Sequence, residues 1–427
     1  MSNTEKLPSP RIATMAEELV GSEIIKLSGE IKEKIANGAQ IFNYTIGDFN
    51  PDIFPIPEGL SLAIIQAYQN GETNYPPANG ILELRQQLSS FIEKKQGLSY
   101  HADEFLVAGG ARPLIYAAFQ ALVNPGEKVL FPVPSWNNNH YTHLSRGQQI
   151  FVETTPENNF MPSANELAEH IQDASLIALC SPLNPTGTVF SKEQLQSICD
   201  LVMTENIRRG PNEKPLYILY DQIYWQLCLG DSKHEDPVSL CPELRPYVVF
   251  IDGISKSLAA TGVRVGWAFG PNHIINKMKA ILGHVGAWAP RAEQVACAQF
   301  MSDTQALDEY LGKIRNKASE RLQAFYKGFQ DLNNKGYDIE AIAPKAAIYL
   351  TVQFNLVGKM DAQGKMLKST EDVTAFLLDQ CGLAIVPFYA FGASRKSTWF
   401  RLSVGTAAMS DVPVVFQRLE SALRLLK

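Results

Sequence analysis

The sequence predicts an α/β fold, a mostly parallel seven-stranded sheet wrapped by helices, with a smaller α+β domain beside it. Three observations carry this expectation. Between about residues 104 and 270, short apolar runs alternate with amphipathic stretches, the pattern of a parallel sheet with helical crossovers. Most of those runs are continuously apolar, as strands covered on both faces must be. After about residue 272 the alternation stops, and long helical segments precede three more strands.

Taken in order, residues 22–37 (SEIIKLSGEIKEKIAN) repeat apolar positions at helical spacing, with Ser22 placed to cap the helix. Strands are expected at 104–108, 128–133, 149–154, 176–181, 216–221, 247–252 and 265–270. Amphipathic stretches at 114–123, 164–171 and 192–202 lie between them. The second region reads as helices at 272–283 and roughly 291–333, strands at 348–354, 383–388 and 399–404, and a closing helix at 411–426. Residues 355–370 are polar and contain glycine, which suits an excursion loop.

Composition narrows the function. With 427 residues, the chain is about three times the ~150 of a typical domain, so two or three domains are expected. Hydrophobic residues at 45% and charged residues at 19% exclude a disordered or fibrous chain. Lys plus Arg number 38 against 44 Asp plus Glu, a net charge of −6. No global basic field results, so nucleic acid is not expected as a partner. The six cysteines (180, 199, 228, 241, 297 and 381) have no CxxC spacing, and reduced thiols in the cytoplasm are expected. The first twenty residues lack a signal-peptide core and no run of 18 uncharged apolar residues occurs, so no membrane association is expected.

The chemistry gathers where strands end, the edge at which open α/β sheets bind ligands. The first strand runs into Gly109-Gly110-Ala111-Arg112-Pro113 and a helix, either a plain tight turn or a cradle of free amides for an anion. GxGxxG and GxxxxGK[ST] are both absent there, which argues against dinucleotide and P-loop readings. Strand 176–181 ends in SPLNPTG, a structural turn or a placement of the Asn184 amide at the ligand edge. Asp221 closes an apolar strand with Tyr224 three residues on; such a carboxylate needs a cation, an arginine or a ligand nitrogen. Lys256 follows another buried strand, eight positions before Arg264 in a Gly-flanked run, where a solvated surface lysine is the plain alternative. Arg401 lies within the apolar strand WFRLS and needs a carboxylate, internal or a substrate's. Trp136 adds a flat aromatic surface. Together these suit a phosphorylated heteroaromatic aldehyde held by a lysine, with an acid keeping its ring nitrogen protonated. His140 and His143 have no accompanying Cys or carboxylate at ligand spacing, so no metal is expected, and His140 is a candidate partner for Asp221.

The whole set resembles the class I/II aminotransferases of the aspartate aminotransferase superfamily, the fold-type I pyridoxal phosphate enzymes. The resemblance runs from about residue 20 to the C-terminus, in SKSLAATGVRVG (255–266), SPLNPTG (181–187), YDQIY (220–224), PSWNNNH (134–140), NYPPANGILELR (74–85) and FRLSVGT (400–406). It implies that Lys256 is the Schiff-base lysine and proton shuttle, that Asp221 pairs with the pyridinium nitrogen, and that Asn184 and Tyr224 bond the 3-oxygen. Trp136 would stack on the ring. The phosphate would rest on the amides of Gly110, Ala111 and Arg112, with Ser255 and Arg264 adding contacts. Arg401 would clamp the substrate α-carboxylate, helped by the backbone near Gly47. Tyr75 would reach a neighbouring subunit's phosphate, implying a homodimer with shared active sites.

Three positions depart from the family's pattern. Gly253 stands where some members have a phosphate-binding serine, and Ala111 where a polar side chain is common. Dicarboxylate-specific members of one branch carry an arginine six residues before a proline; here His284 holds that distance from Pro290. An acidic side chain would then be read by His284, Arg291 or Arg112 in another geometry. The expected division is 1–46 as an N-terminal arm and first part of the small domain, 47–300 as the large cofactor domain, and 301–427 as the small C-terminal domain. The expected activity is transfer of an amino group from an L-amino acid, aspartate-like or broadly chosen, to a 2-oxo acid. A β-eliminating carbon–sulfur lyase or a decarboxylating enzyme shares the lysine motif. A ligand-sensing regulator is disfavoured because the roughly forty residues before IGDFNP show no basic clustering, and a nicotinamide dehydrogenase because no glycine fingerprint opens the first βα turn.

Overall fold

The computed structural model describes residues 12–19, 21 and 23–427. A helix spans Glu23–Ala36 as expected, while Ser22, its anticipated cap, lies outside the described residues. All seven strands of the large sheet form close to their expected places: β1 Phe105–Ala108, β2 Lys128–Val133, β3 Gln148–Glu153, β4 Ala174–Cys180, β5 Tyr217–Asp221, β6 Val248–Gly253 and β7 Gly266–Phe269. Their order is β1-β7-β6-β5-β4-β2-β3. Only β7 runs against its neighbours; the remaining pairs are parallel. The connection from β6 to β7 has no room for a crossover helix, so the chain returns antiparallel. That short connection carries Lys256 and Arg264.

Continuous apolar strands are buried on both faces. In β6, Phe250 belongs to the core on one side, with Tyr220 and Phe269, whereas Val249 and Ile251 join Leu106, Ala118 and Leu176 on the other. Strand β3 is the exception, largely exposed at an edge guarded by Gln148, Gln149 and Glu153.

A second sheet has the order β10-β11-β9-β8, all antiparallel, from β8 Ile339–Ala341, β9 Tyr349–Phe354, β10 Val386–Pro387 and β11 Trp399–Ser403. The single strand expected at 383–388 is divided. Leu383–Ala384 pairs in parallel with Phe42–Asn43, and Val386–Pro387 then joins β11. The long helix expected over 291–333 breaks at Asp303, whose carboxylate accepts the Ala306 N–H at 3.0 Å and starts a new helix, Thr304–Asn334. Helices Glu58–Gln69 and Leu82–Gln96 fill a stretch the sequence pattern leaves unassigned. Residues as distant as Tyr44, Phe325, Tyr349 and Phe400 share one core behind the second sheet, so the segment around Tyr44 packs with the C-terminal strands.

Candidate active site

The carboxyl ends of β4, β5 and β6 lie in register, Cys180 beside Asp221 and Asp221 beside Ile251. Asp221 therefore reaches the ligand edge at the end of a strand whose interior is fully buried. One carboxylate oxygen accepts the Ile223 N–H at 3.1 Å. Among the described residues no arginine or lysine pairs with it, and His140 makes no hydrogen bond to it. Burial lifts its pKa to about 6, against a smaller lowering by the Ile223 amide. Of the two cations weighed for this position, an arginine is not found beside it among the described residues.

Lys256 sits in the four-residue helix Ile254–Ser257 directly after β6. Its ammonium donates to the Gly47 carbonyl and lies 5.8 Å from the Phe49 ring centre and 5.7 Å from that of Tyr224. Burial lowers its pKa to about 8; Asp48 opposes this, while Arg401, Arg112 and Arg264 reinforce it. It is not a solvated surface lysine. A free amine close to neutral pH is a usable nucleophile and base.

The glycine-rich turn after β1 is more than a tight turn. Gly110, at φ +95, precedes the helix Ala111–Leu122. A Cβ there would lie 2.2 Å from Arg264 Nη2, and one at Gly266 would lie 2.6 Å from the Gly110 carbonyl carbon. Only glycines let the two segments approach so closely. Arg264 is held by donating to the carbonyls of Thr261 at 2.6 Å and Gly109 at 2.9 Å. The expected Gly110 amide is not free, since it donates to the Ala108 carbonyl at 2.6 Å; the guanidinium of Arg264 and the first helix amides, those of Ala111 and Arg112, are left to bind a phosphate. Ser255 is buried nearby in sequence to Lys256, at 8% exposure. Arg112 is exposed and lies 5.4 Å over the Trp136 ring.

Arg401, on β11, is 1% exposed. Its guanidinium donates to Asn184 Oδ1 at 2.9 Å and to the Thr45 carbonyl at 2.6 Å. The rings of Tyr349 and Phe391 flank it at 4.6 and 4.8 Å. Its Nε has no partner, and no carboxylate faces it among the described residues. Burial lowers its pKa, with the two phenols opposing. Gly47 completes this corner, since a Cβ there would stand 2.7 Å from the Tyr349 hydroxyl. With Asn184 Oδ1 accepting from Arg401, the amide's own N–H groups are left to donate.

The structure thus brings Lys256, Gly47, Tyr224, Asn184 and Arg401 together, and sets Gly110, Ala111 and Arg264 as a cradle. Tyr75 is not drawn in; it is 83% exposed and rests edge-on against Trp288, 5.3 Å between ring centres. His143 bonds the Met15 carbonyl at 2.7 Å. The sequence reading missed Thr45, Asp48, Phe391 and Tyr349. Asp48 lies in the IGDFNP segment next to Gly47 and its carboxylate accepts from the Thr261 hydroxyl at 2.7 Å; Thr45, Phe391 and Tyr349 sit in no recognisable local pattern.

The fold matches solved aminotransferase structures. The aspartate aminotransferase from Rhizobium meliloti superposes with a TM-score of 0.89 at 24% identity, covering 98% of this chain and 100% of that one. The aromatic aminotransferase from Pyrococcus horikoshii OT3 gives 0.80 at 23%, covering 92% and 98%. The family model described as aminotransferase class I and II matches residues 43–415. This chain belongs to the class I and II aminotransferases. A probable aspartate/prephenate aminotransferase of Rhizobium leguminosarum bv. phaseoli is 30% identical over 393 residues, 90% of this chain and 92% of that protein. The aspartate aminotransferase of Geobacillus stearothermophilus is 28% identical over 399 residues, 93% and 95%. Enzymes of this family depend on pyridoxal phosphate, and the residues present fit it. An acid without a protein cation, a cradle with no room for a Cβ and a desolvated lysine match its ring nitrogen, phosphate and aldehyde.

Proposed function

We propose that this aminotransferase takes its amino group from a dicarboxylic amino acid such as aspartate, or from a broader set that includes it, and passes it to a 2-oxo acid. The observation that carries the transamination reading is Arg401, a buried guanidinium that faces no carboxylate among the described residues, hydrogen-bonded to Asn184 in the pocket that holds Lys256 and suited to the α-carboxylate of any amino acid donor; the preference for a dicarboxylic donor rests on Arg112 and on the relatives' names. Such a cation calls for a ligand carboxylate. Asp221 would pair with the cofactor's ring nitrogen, and Asn184 and Tyr224 would bond its 3-oxygen. The turn at Gly110 with Ala111, Arg112, Ser255 and Arg264 would hold its phosphate, and Trp136 would stack on its ring. Bound there, pyridoxal phosphate supplies an electron-poor ring that drains charge from the substrate's α-carbon. Lys256 Nζ holds the cofactor and carries the proton to and from that carbon. Arg401 and the Gly47 backbone fix the α-carboxylate.

Of the three groups considered for a second carboxylate, His284 is exposed at the end of the helix Asn272–Val285 and Arg291 is paired with Glu72. Arg112 remains, exposed against Trp136 on the cradle side of the site. Names of the relatives, aspartate and aspartate/prephenate aminotransferases, favour the same substrate class. Tyr75 and the exposed Leu62, Ile65 and Tyr68 suit a second copy of the chain, so the enzyme is read as a homodimer with shared sites. The division at residues 46 and 300 and a cytoplasmic location belong to the same reading. The location is supported by six free cysteines; among the described residues no helix is long and apolar enough to cross a membrane.

The test is to add a panel of amino acids to the enzyme loaded with pyridoxal phosphate. Aspartate should bleach the visible band and yield an equal amount of the 2-oxo acid. Reaction confined to neutral amino acids would remove the dicarboxylate reading, and pyruvate with ammonia from cystathionine, without amino transfer, would replace transamination by elimination.

A further inference from the structure

Tyr349 opens β9 and is 1% exposed. Its hydroxyl and that of Tyr224 are hydrogen-bonded to each other, and the rings meet edge-on with centres 5.4 Å apart. The face of the same ring lies 4.6 Å from the Arg401 guanidinium carbon. Its hydroxyl also stands where any Cβ at Gly47 would have to be. One side chain therefore touches the phenol beside Lys256, the carboxylate-binding cation and the backbone that receives the lysine.

Only one proton can lie between two phenol oxygens, so one ring donates and the other accepts. The neighbouring guanidinium makes Tyr349 the more acidic and hence the better donor. When Tyr349 donates, the Tyr224 oxygen has its acceptor role filled and its own proton is free to point into the site. A hydroxyl that accepts one bond also donates a stronger one.

We propose that Tyr349 is a positioning residue of this site: its phenol donates to Tyr224, turning the Tyr224 proton toward the cofactor's 3-oxygen, while its ring fixes Arg401. The proposal rests on the reading above in which Tyr224 faces that oxygen. Tyr349 touches neither cofactor nor substrate and acts through the two groups it holds.

The test is a double-mutant cycle read by spectroscopy. The visible band of the enzyme carrying pyridoxal phosphate is titrated with pH for the parent, Tyr349→Phe, Tyr224→Phe and the double variant. Tyr349→Phe keeps the ring over Arg401 and removes only the hydroxyl. It should raise the titration midpoint by about half a pH unit, less than Tyr224→Phe does and in the same direction. KM for the amino acid should stay near the parent value. The double variant should match Tyr224→Phe, because the phenol of Tyr349 has then lost its acceptor. Tyr349→Leu removes the ring as well and should also raise KM. An unmoved midpoint in Tyr349→Phe, or an equal shift in both backgrounds, overturns the proposal alone. An unmoved midpoint in Tyr224→Phe overturns the placement of Tyr224 and the proposal with it.

Discussion

Two arginines of this enzyme are both buried and oppositely furnished. Arg209, 8% exposed, ends the helix Lys192–Arg209. It donates to Glu205 Oε1 at 2.7 Å and to the carbonyls of Lys214, Ile171, Gln172 and Ala174. Hydrogen bonds from Arg208, and then from Arg209, hold Glu205 below the usual carboxylate range despite its burial. Arg401 is buried more deeply, yet has one amide oxygen, one carbonyl, two aromatic faces and an idle Nε. A buried ion is costly unless paired and hydrogen-bonded. Arg209 meets that cost inside the chain and is a structural clamp. Arg401 leaves it unmet until a carboxylate arrives. Asp221 and Lys256 share this condition, with pKa values pushed toward neutrality by the same burial. The difference separates charges that hold the fold from charges that do the chemistry.

The comparison can be broken most severely at Lys256. Lys256→Ala should cut transamination by on the order of 10³-fold or more while leaving the circular dichroism spectrum intact; full turnover would remove the lysine from the site. The same substitution made at both arginines sharpens the contrast. Arg401→Met should lower kcat/KM for aspartate by about 10²-fold with little loss of stability, since an unpaired buried charge has been removed. Arg209→Met should do the reverse, costing about 3 kcal/mol in denaturant unfolding and leaving KM unchanged. Equal effects at the two positions would erase the distinction.

A smaller effect is expected at Arg112. Arg112→Ala should reduce kcat/KM for aspartate by about tenfold more than for alanine, because an exposed cation contributes modestly; parallel losses would move recognition of the second carboxylate elsewhere. The mildest test follows from Lys256 itself. Its pKa is lowered, so the amine is protonated below about 8 and free above it. Capture of added pyridoxal phosphate by the cofactor-free protein should therefore speed up with pH to about 8 and then level, instead of climbing toward 10.5. Asp48→Asn removes an opposing carboxylate and should move that midpoint lower still.

Legibility followed the range of the interaction. The strands of the large sheet were readable because all but the edge strand β3 are runs of apolar residues closed by turn formers, a local property. Asp221, Lys256 and Asn184 were readable for a related reason, each being a polar residue at or just after the end of an apolar strand, and Arg264 because it stands just before the next one. Two misreadings were also local in origin. Asp303 lies within a helical pattern and looks like a tolerated polar position, yet its carboxylate captures the Ala306 amide and restarts the helix. Residues 383–388 have uniform strand composition, and nothing in them tells that two different partners divide the run.

By itself, the order of residues along this chain determined a doubly covered sheet and a lysine, an acid and an amide at its carboxyl edge, because side-chain type and backbone preference act over a few neighbours. Only the tertiary structure decided that the Gly47 carbonyl meets Lys256 across 209 positions, that Asn184 rather than a carboxylate meets Arg401 across 217, and that Tyr349 stands between Tyr224 and Arg401. Those contacts join segments whose approach is set by the packing of two cores, and no local preference of either segment encodes the distance between them.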